Sequence, residues 1–362
     1  MNQKFPLALS LDDVLLVPSY SEINSRNEVD LSTTISDKVN LKIPLISANV
    51  DTITGIDMAI KMGKLGGLGV LPRFDPPDRQ AEKVRQIKKS KVLAAASIGI
   101  RKEKQDRAEM LVKAGVDILN IDVAHGHMQA AIEATSNLKN KYGDRVTIIS
   151  GIIATADAAE AHYKAGSDCV ALGVGSGSIC TTRVQTGCGV PGFTSLIEIA
   201  PVAKKYKKAF IPVAGIKNSG DIVKALATGA SAVWGGYIFS GTKETPGNVI
   251  TLDGKKYKRY NGSTSQREKV RQIEKYKFGK TKTYSIHIEG VESLVPYGGD
   301  LEGVVESLLA GVRSGMSYCG AKDIPSLWER AKFIRITQSG IKSGDAHDVI
   351  VGGSDESLNN HL

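Results

Sequence analysis

Eight short runs of β-branched and small apolar residues alternate with helical stretches, and this alternation constrains the fold more than any other feature. The runs are IPLISANV (43–50), GGLGVL (66–71), VLAAASIG (92–99), VDILNIDV (116–123), VTIISGII (146–153), DCVALGVG (168–175), AFIPVAGI (209–216) and SAVWGGYI (231–238). Between them lie stretches such as MAIKMGKL, RQAEKVRQIKKS and DIVKALATGA, several ending on lysines or a glycine as a helix C-terminus does. Continuous apolar strands, unlike alternating ones, are covered on both faces, which means a parallel sheet between helices. Eight such units between residues 43 and 238 predict an α/β fold, a (β/α)8 TIM barrel, with a doubly wound sheet as the alternative. No linker marks a second domain, and 71–91 holds only a short connection and a helix, so residues 1–362 read as one barrel domain. No apolar run approaches the roughly 20 residues that span a bilayer, and the N-terminus lacks a signal peptide's pattern, so a cytoplasmic protein is expected.

In a barrel the loops leaving the C-terminal ends of the strands carry function. Here they are the unusual segments: Asn49–Asp51, Asp122–His127, GVGSGSICTTR (173–183), GIKNSGD (215–221) and GGYIFSGT (235–242). Gly173, Gly175 and Gly177 at alternate positions let the backbone turn amides or carbonyls toward a ligand. Cys180 in the same loop, beside Thr181 and near Ser178, has the setting of an activated thiol, the alternative being a tight turn with an inert cysteine. Gly215 with Ser219, and Gly235 with Gly236, follow strands seven and eight, where barrels bind phosphate through backbone amides. His125 and His127 beside Asp122 make a weak metal motif, having no third ligand at a suitable spacing. Cys169 and Cys319 read as core residues and Cys188 as loop filler, while His162, His287 and His361 read as surface or core positions.

The chain carries 47 Lys and Arg against 38 Asp and Glu, a formal charge of +9. The surplus is local: Lys255 to Lys282 hold eleven basic and two acidic residues, and the rest of the chain is balanced. A neutral barrel therefore carries one cationic excursion, within about 243–300, of the kind that serves as a mobile flap and draws an anionic ligand inward. It lacks a recognised nucleic-acid-binding module, so no nucleic acid is expected.

Over nearly its whole length the chain resembles the inosine monophosphate dehydrogenase and guanosine monophosphate reductase family, through LSLDDVLLVPSYSEI, LISANVDTIT, VDILNIDVAHGH, GSGSICTTR, SGDIVKALATGA, EGVESLVPYGG and VRSGMSYCGA. The resemblance implies a purine nucleotide oxidoreductase in which Cys180 attacks C2 of the ring. In the dehydrogenase, hydride passes to NAD and the adduct is hydrolysed; in the reductase, ammonia leaves and NADPH supplies hydride. Thr182 and Glu289 match a proton-relaying pair. Ser47, Ser178, Gly215, Gly235, Gly236 and Tyr260 match substrate-binding positions, most of them in the phosphate cradle. Asp122, Gly173 and Gly175 match the cofactor side, and the carbonyls of Gly175, Gly177 and Cys180 match a site for a monovalent cation such as K+. The C-terminal half reads closer to the dehydrogenase, making IMP the substrate and XMP the product, in guanine nucleotide biosynthesis. A homotetramer without the CBS regulatory domain is implied, with a purine nucleoside monophosphate as partner and no membrane.

The departures from that pattern are specific. The flap's Arg-Tyr water activator is matched by Lys275-Tyr276, and polar positions at three strand ends are matched by Val213, Ile152 and Ala171. Ser343-Gly344-Asp345 stands at the altered cation segment. These apolar replacements leave room for a third reading, a paralogue with a changed purine substrate or little activity.

Overall fold

The structure is a computed structural model that describes residues 5–100, 105–276 and 288–344, with only the backbone at 105, 106, 275 and 276. The eight runs become eight parallel strands: β1 Leu45–Ser47, β2 Leu68–Leu71, β3 Ala95–Ile98, β4 Ile118–Asp122, β5 Thr147–Ile153, β6 Cys169–Leu172, β7 Ala209–Pro212 and β8 Val233–Gly235. They are hydrogen-bonded in the order β7-β6-β5-β4-β3-β2-β1-β8. The Ser231 N–H donates to the Phe210 carbonyl at 3.1 Å, bringing the approach to β8 against β7 and closing the ring. Around the strands run α1 Ile56–Lys64, α2 Pro77–Lys89, α3 Gln105–Lys113, α4 Gln129–Tyr142, α5 Ala156–Lys164, α6 Gly192–Tyr206, α7 Ser219–Ala227 and α8 Leu301–Tyr318. The (β/α)8 barrel expected from the alternation is what the chain forms, with α2 filling the connection between β2 and β3.

The strands lack polar alternation because both of their faces are covered. Ile46, Leu68, Val70, Ile118, Ile149 and Ile211 fill the barrel with Trp234, while Leu45, Val170, Leu172, Phe210 and Val233 face the helices. Burying each such side chain contributes about 1.5–3 kcal/mol before the entropy of ordering the chain is subtracted. A hairpin of Thr33–Ser36 and Val39–Leu41 plugs the N-terminal end. It inserts Ile35, Val39 and Leu41 into the interior cluster, and the Ser36 and Thr147 hydroxyls meet at 2.6 Å. Function is left to the opposite end.

There the chain makes its long excursion. Strands Ile250–Leu252, Lys255–Asn261 and Glu292–Pro296 form an antiparallel sheet with the middle one central. A helix, Gln266–Tyr276, follows the central strand, and its polarity is inverted. Glu268, Lys269 and Gln272 are buried, whereas Val270 is 43% exposed. A segment that docks through polar groups loses less on detaching than one that docks through leucines, which suits a moving flap. Among the described residues, no helix is long and apolar enough to cross a membrane.

Candidate active site

The C-terminal mouth of the barrel opens into a cleft of about 700 Å³, its solvent-filled entrance included. It is lined by the end of β1 (Ala48, Val50), the loop after β6 (Gly177 to Cys180), the loop after β7 (Val213 to Ile216), the start of the β8 loop and the flap residues Tyr260, Gly262 to Thr264 and Glu289. Five segments separated by up to about 240 positions of sequence therefore converge on one space, at the end of the barrel where sites of this fold form.

At its centre lies a hydrogen-bonded line. Cys180 Sγ and Thr182 Oγ1 are 3.1 Å apart, and the Thr182 hydroxyl donates to Glu289 Oε2 at 2.7 Å. Since that hydroxyl has one proton and the carboxylate can only accept, the thiol is the donor to Thr182, and the line runs Cys180 to Thr182 to Glu289. Backbone pairing fixes it. Cys180 bridges antiparallel to Gly290, the Thr181 N–H donates to the Glu289 carbonyl at 3.1 Å, and the Val291 N–H donates to the Ile179 carbonyl at 3.1 Å. Glu289, distant in sequence, is thus stitched to the nucleophile's own loop.

Arg183, given no role by the sequence, braces that loop from beneath. Its guanidinium donates to Ser176 Oγ and to the Val190 carbonyl, both at 2.8 Å. Its stem lies where a Cβ on Gly175 would sit, 2.5 Å from Cγ, and Gly175 has a φ of +75°, so glycine is required there twice over.

The residues matched to a phosphate cradle cluster at the other side of the cleft. Ser178, Gly215, Gly236 and Tyr260 all line it. The Tyr260 hydroxyl is 2.7 Å from the place a Cβ on Gly236 would take. Burial, with Cys180 nearby, pushes the Tyr260 phenol pKa up, keeping it a protonated donor. Gly235 stands one position behind, packed against Ile238 and Phe239. Ser47 is fully buried with its hydroxyl 2.9 Å from that of Thr54, one layer below the cleft lining.

On the cofactor side, Asp122 ends β4 and accepts from Arg73 Nε at 2.9 Å. Gly173 begins the loop that carries Cys180, outside the cleft lining, and Gly177 O accepts the Cys180 N–H at 3.1 Å, closing the turn that presents the three carbonyls matched to a cation. Of the three apolar departures, Val213 lines the cleft, Ile152 packs half-buried against the barrel interior, and Ala171 lies inside the barrel beside Gly151. Cys169 and Cys319 are buried and Cys188 is exposed. Ser343 and Gly344 close the last described helix, while Asp345, His287 and His361 lie outside the described residues.

The side chains of Lys275 and Tyr276, at the end of the flap helix, also lie outside what is described. Two other flap residues reach the mouth instead. Lys269 is buried, which lowers its ammonium pKa, while the charge of Glu289 acts in the opposite direction. Arg271 reaches Asp51 on the β1–α1 loop, Nη2 to Oδ1 3.5 Å, and Glu268 at 3.3 Å. No sequence pattern marks either one, because the helix buries its polar face.

Burial raises the Asp51 pKa from 3.8 to about 6, opposed by Arg271 and reinforced by Glu268 and Asp75, with Lys83 also lowering it. Between those values the folded chain holds a proton that the unfolded chain has released. The stabilising contribution of the protonated acid is complete below pH 3.8 and is lost as pH rises through about 6. Relative to Asp51→Asn, whose amide does not ionise, the native chain is expected to lose about 2 kcal/mol between pH 4 and pH 7. Urea unfolding of the two proteins across that range checks this; a constant difference would show that Asp51 is not held in the buried interface.

A family model described as IMP dehydrogenase / GMP reductase domain matches residues 8–347. The inosine-5'-monophosphate dehydrogenase of Aquifex aeolicus (strain VF5) is 32% identical, over 96% of this chain and 97% of the relative. That of Nitrosopumilus maritimus (strain SCM1) is 31% identical, over 96% of this chain and 100% of the relative. That of Cryptosporidium parvum is 35% identical, over 94% and 95%.

Proposed function

The chain belongs to the IMP dehydrogenase / GMP reductase family, and from that premise we propose that it oxidises IMP to XMP with NAD through a covalent bond between Cys180 and C2 of the purine. The observation that carries the reading is the line from the Cys180 thiol through Thr182 to Glu289, with distances of 3.1 and 2.7 Å, inside the cleft at the barrel mouth.

Each group then has one task. The thiol proton passes to Thr182 as the Thr182 proton passes to Glu289, and the sulfur forms a bond to C2. The hydrogen on C2 leaves with its electron pair. NAD, when bound, supplies the acceptor for that hydride. Water next adds to C2, the carbon–sulfur bond breaks and the thiol is restored, so one water is consumed and one proton released per turnover. Proton transfer through a positioned pair of this kind contributes about 10²–10⁴-fold. Tyr260 and the backbone at Ser178, Gly215 and Gly236 hold the 5'-phosphate. Lys275 and Tyr276 are assigned to activating the water, and Lys269 is a buried flap cation whose charge interacts with that of Glu289.

The donor set suits a nicotinamide dinucleotide. Arg73 occupies one oxygen of Asp122, whose side chain is still 20% exposed at the barrel mouth and can accept from a sugar hydroxyl or a carboxamide. A potassium ion would be held by the carbonyls of Gly175, Gly177 and Cys180. The domain reading is a single catalytic barrel without a regulatory module, supported by the short span of α2 between β2 and β3. Cytoplasmic location and a homotetramer complete the proposal.

The walls from β1 and β7 are Ala48, Val50, Val213, Ala214 and Ile216, none with a polar side chain. A site that hydrogen-bonds a substrate hydroxyl rejects the analogue lacking it by about 10⁴-fold, whereas an apolar wall does not. Turnover of 2'-deoxy-IMP is therefore expected within about tenfold of IMP by kcat/KM; a deficit beyond about 10³-fold would mean that a polar group grips the 2'-hydroxyl.

The assay that tests the function offers IMP with NAD and, separately, GMP with NADPH, following the reduced cofactor by absorbance. Turnover in the first alone is expected. Turnover in the second alone would make the chain a reductase, and silence in both a paralogue with another substrate or little activity.

A further inference from the structure

His162 lies on α5 with no exposed surface. Three elements supply its partners. Nε2 is 3.0 Å from the Gly126 carbonyl, Nδ1 is 3.1 Å from Thr135 Oγ1 on α4, and that hydroxyl is 2.9 Å from Ser150 Oγ on β5. The proton count fixes the direction of every bond. A carbonyl can only accept, so Nε2 carries the ring proton and donates to Gly126. Nδ1 is then an acceptor facing the Thr135 hydroxyl, whose one proton is shared between Nδ1 and the Ala131 carbonyl at 3.0 Å, and the Ser150 hydroxyl donates to Thr135. Burial lowers the His162 pKa, and His127 adds to the effect, in keeping with a neutral ring.

Gly126 is the buried pin of an exposed loop. Ala124, His125, His127 and Met128 around it face solvent at the barrel mouth. The Gly126 N–H donates to the Ile152 carbonyl at 2.7 Å, and its carbonyl accepts the Met128 N–H at 2.8 Å. Among the described residues, His162 is the side chain that holds this pin from below. Of the six residues from Asp122 to His127, Asp122 is the one assigned to the cofactor, and it comes four positions before Gly126.

We propose that His162 is a positioning residue for the cofactor half of the site, fixing the Asp122–His127 loop through its bond to the Gly126 carbonyl. The proposal rests on the reading of Asp122 as a cofactor contact, and it names a determinant of cofactor affinity that lies a layer away from the cofactor.

The test uses His162→Leu. Leucine fills much of the imidazole's volume, and the Thr135 hydroxyl keeps its bond to the Ala131 carbonyl at 3.0 Å, so no buried donor is stranded. Expected is a rise of about tenfold in KM for NAD, with KM for IMP and kcat each within about twofold, and partial return in His162→Gln, whose amide can donate to Gly126 and accept from Thr135. Amide exchange at Gly126 and Met128, read by mass spectrometry on the protein without ligand, is expected to quicken in His162→Leu and recover in His162→Gln. Unchanged exchange overturns the proposal. Faster exchange with an unchanged KM for NAD overturns the link to the cofactor, and a parallel loss in both KM values, kcat and melting temperature would show a merely structural residue. If the native enzyme turns over neither IMP nor GMP, the function reading fails by itself, while the exchange comparison still decides whether His162 holds the loop.

Discussion

Replacing Cys180 by alanine is expected to abolish turnover, by about 10⁴-fold or more, while leaving IMP bound within a few-fold of the native affinity. The expectation follows from where the thiol sits. It lines the cleft, and the phosphate cradle proposed for Ser178, Gly215, Gly236 and Tyr260 is made of other groups in the same lining. Binding energy drawn from the phosphate survives the change, but nothing else on the walls can form the bond to C2. Nucleophilic catalysis replaces one difficult step with two easier ones, and its loss returns the full barrier of direct hydride abstraction. Serine in place of Cys180 is expected to be nearly as inactive, since its hydroxyl is far less ionised. Isothermal titration with IMP, beside the assay of reduced cofactor, separates the two effects. Residual activity within a hundredfold of native would remove Cys180 from the chemistry, and loss of IMP binding would show that it had been holding the loop.

Glu289→Gln carries the second large effect, a fall in kcat of about 10²–10³-fold with KM for IMP little changed. The amide keeps the size of the carboxylate and can still accept from Thr182, so the bridge between Cys180 and Gly290 stays closed. What disappears is the charge that draws the proton along the line. With no carboxylate to receive it, the proton must leave to base in the solvent, which becomes more abundant as pH rises. Activity of Glu289→Gln should therefore climb with pH from 7 to 9 more steeply than that of the native enzyme. A profile parallel to native would place the proton elsewhere, with Lys269 the first group to examine.

The barrel was legible because each strand is covered on both faces, which writes a continuous apolar run rather than a pattern needing a partner to interpret. Cys180 was legible from its loop, and Thr182 and Glu289 from the resemblance. The backbone pairing that brings Glu289 to Thr182 across 107 positions was not, because it forms only when the two loops fold together. The flap helix escaped for a different reason. Burial of Glu268, Lys269 and Gln272 beneath an exposed Val270 inverts the rule by which amphipathic helices are read, so no pattern marked Lys269 or Arg271, and the side chain of Lys275 lies outside the described residues. Ser47 was matched by position, and what position could not show is that its hydroxyl meets that of Thr54 at 2.9 Å. His162 could not be singled out, because its partners Thr135, Ser150 and Gly126 gather only when α4, β5 and α5 pack together.

The central claim is that Cys180 activates C2 of IMP so that the hydrogen there leaves with its electrons to a nicotinamide. Incubating the protein with NAD and IMP deuterated at C2, and examining both products by mass spectrometry, tests it most directly. The account predicts one deuterium on each reduced cofactor, none in XMP, and one oxygen atom from solvent at C2. Deuterium released to water, or reduced cofactor formed without it, would contradict the account.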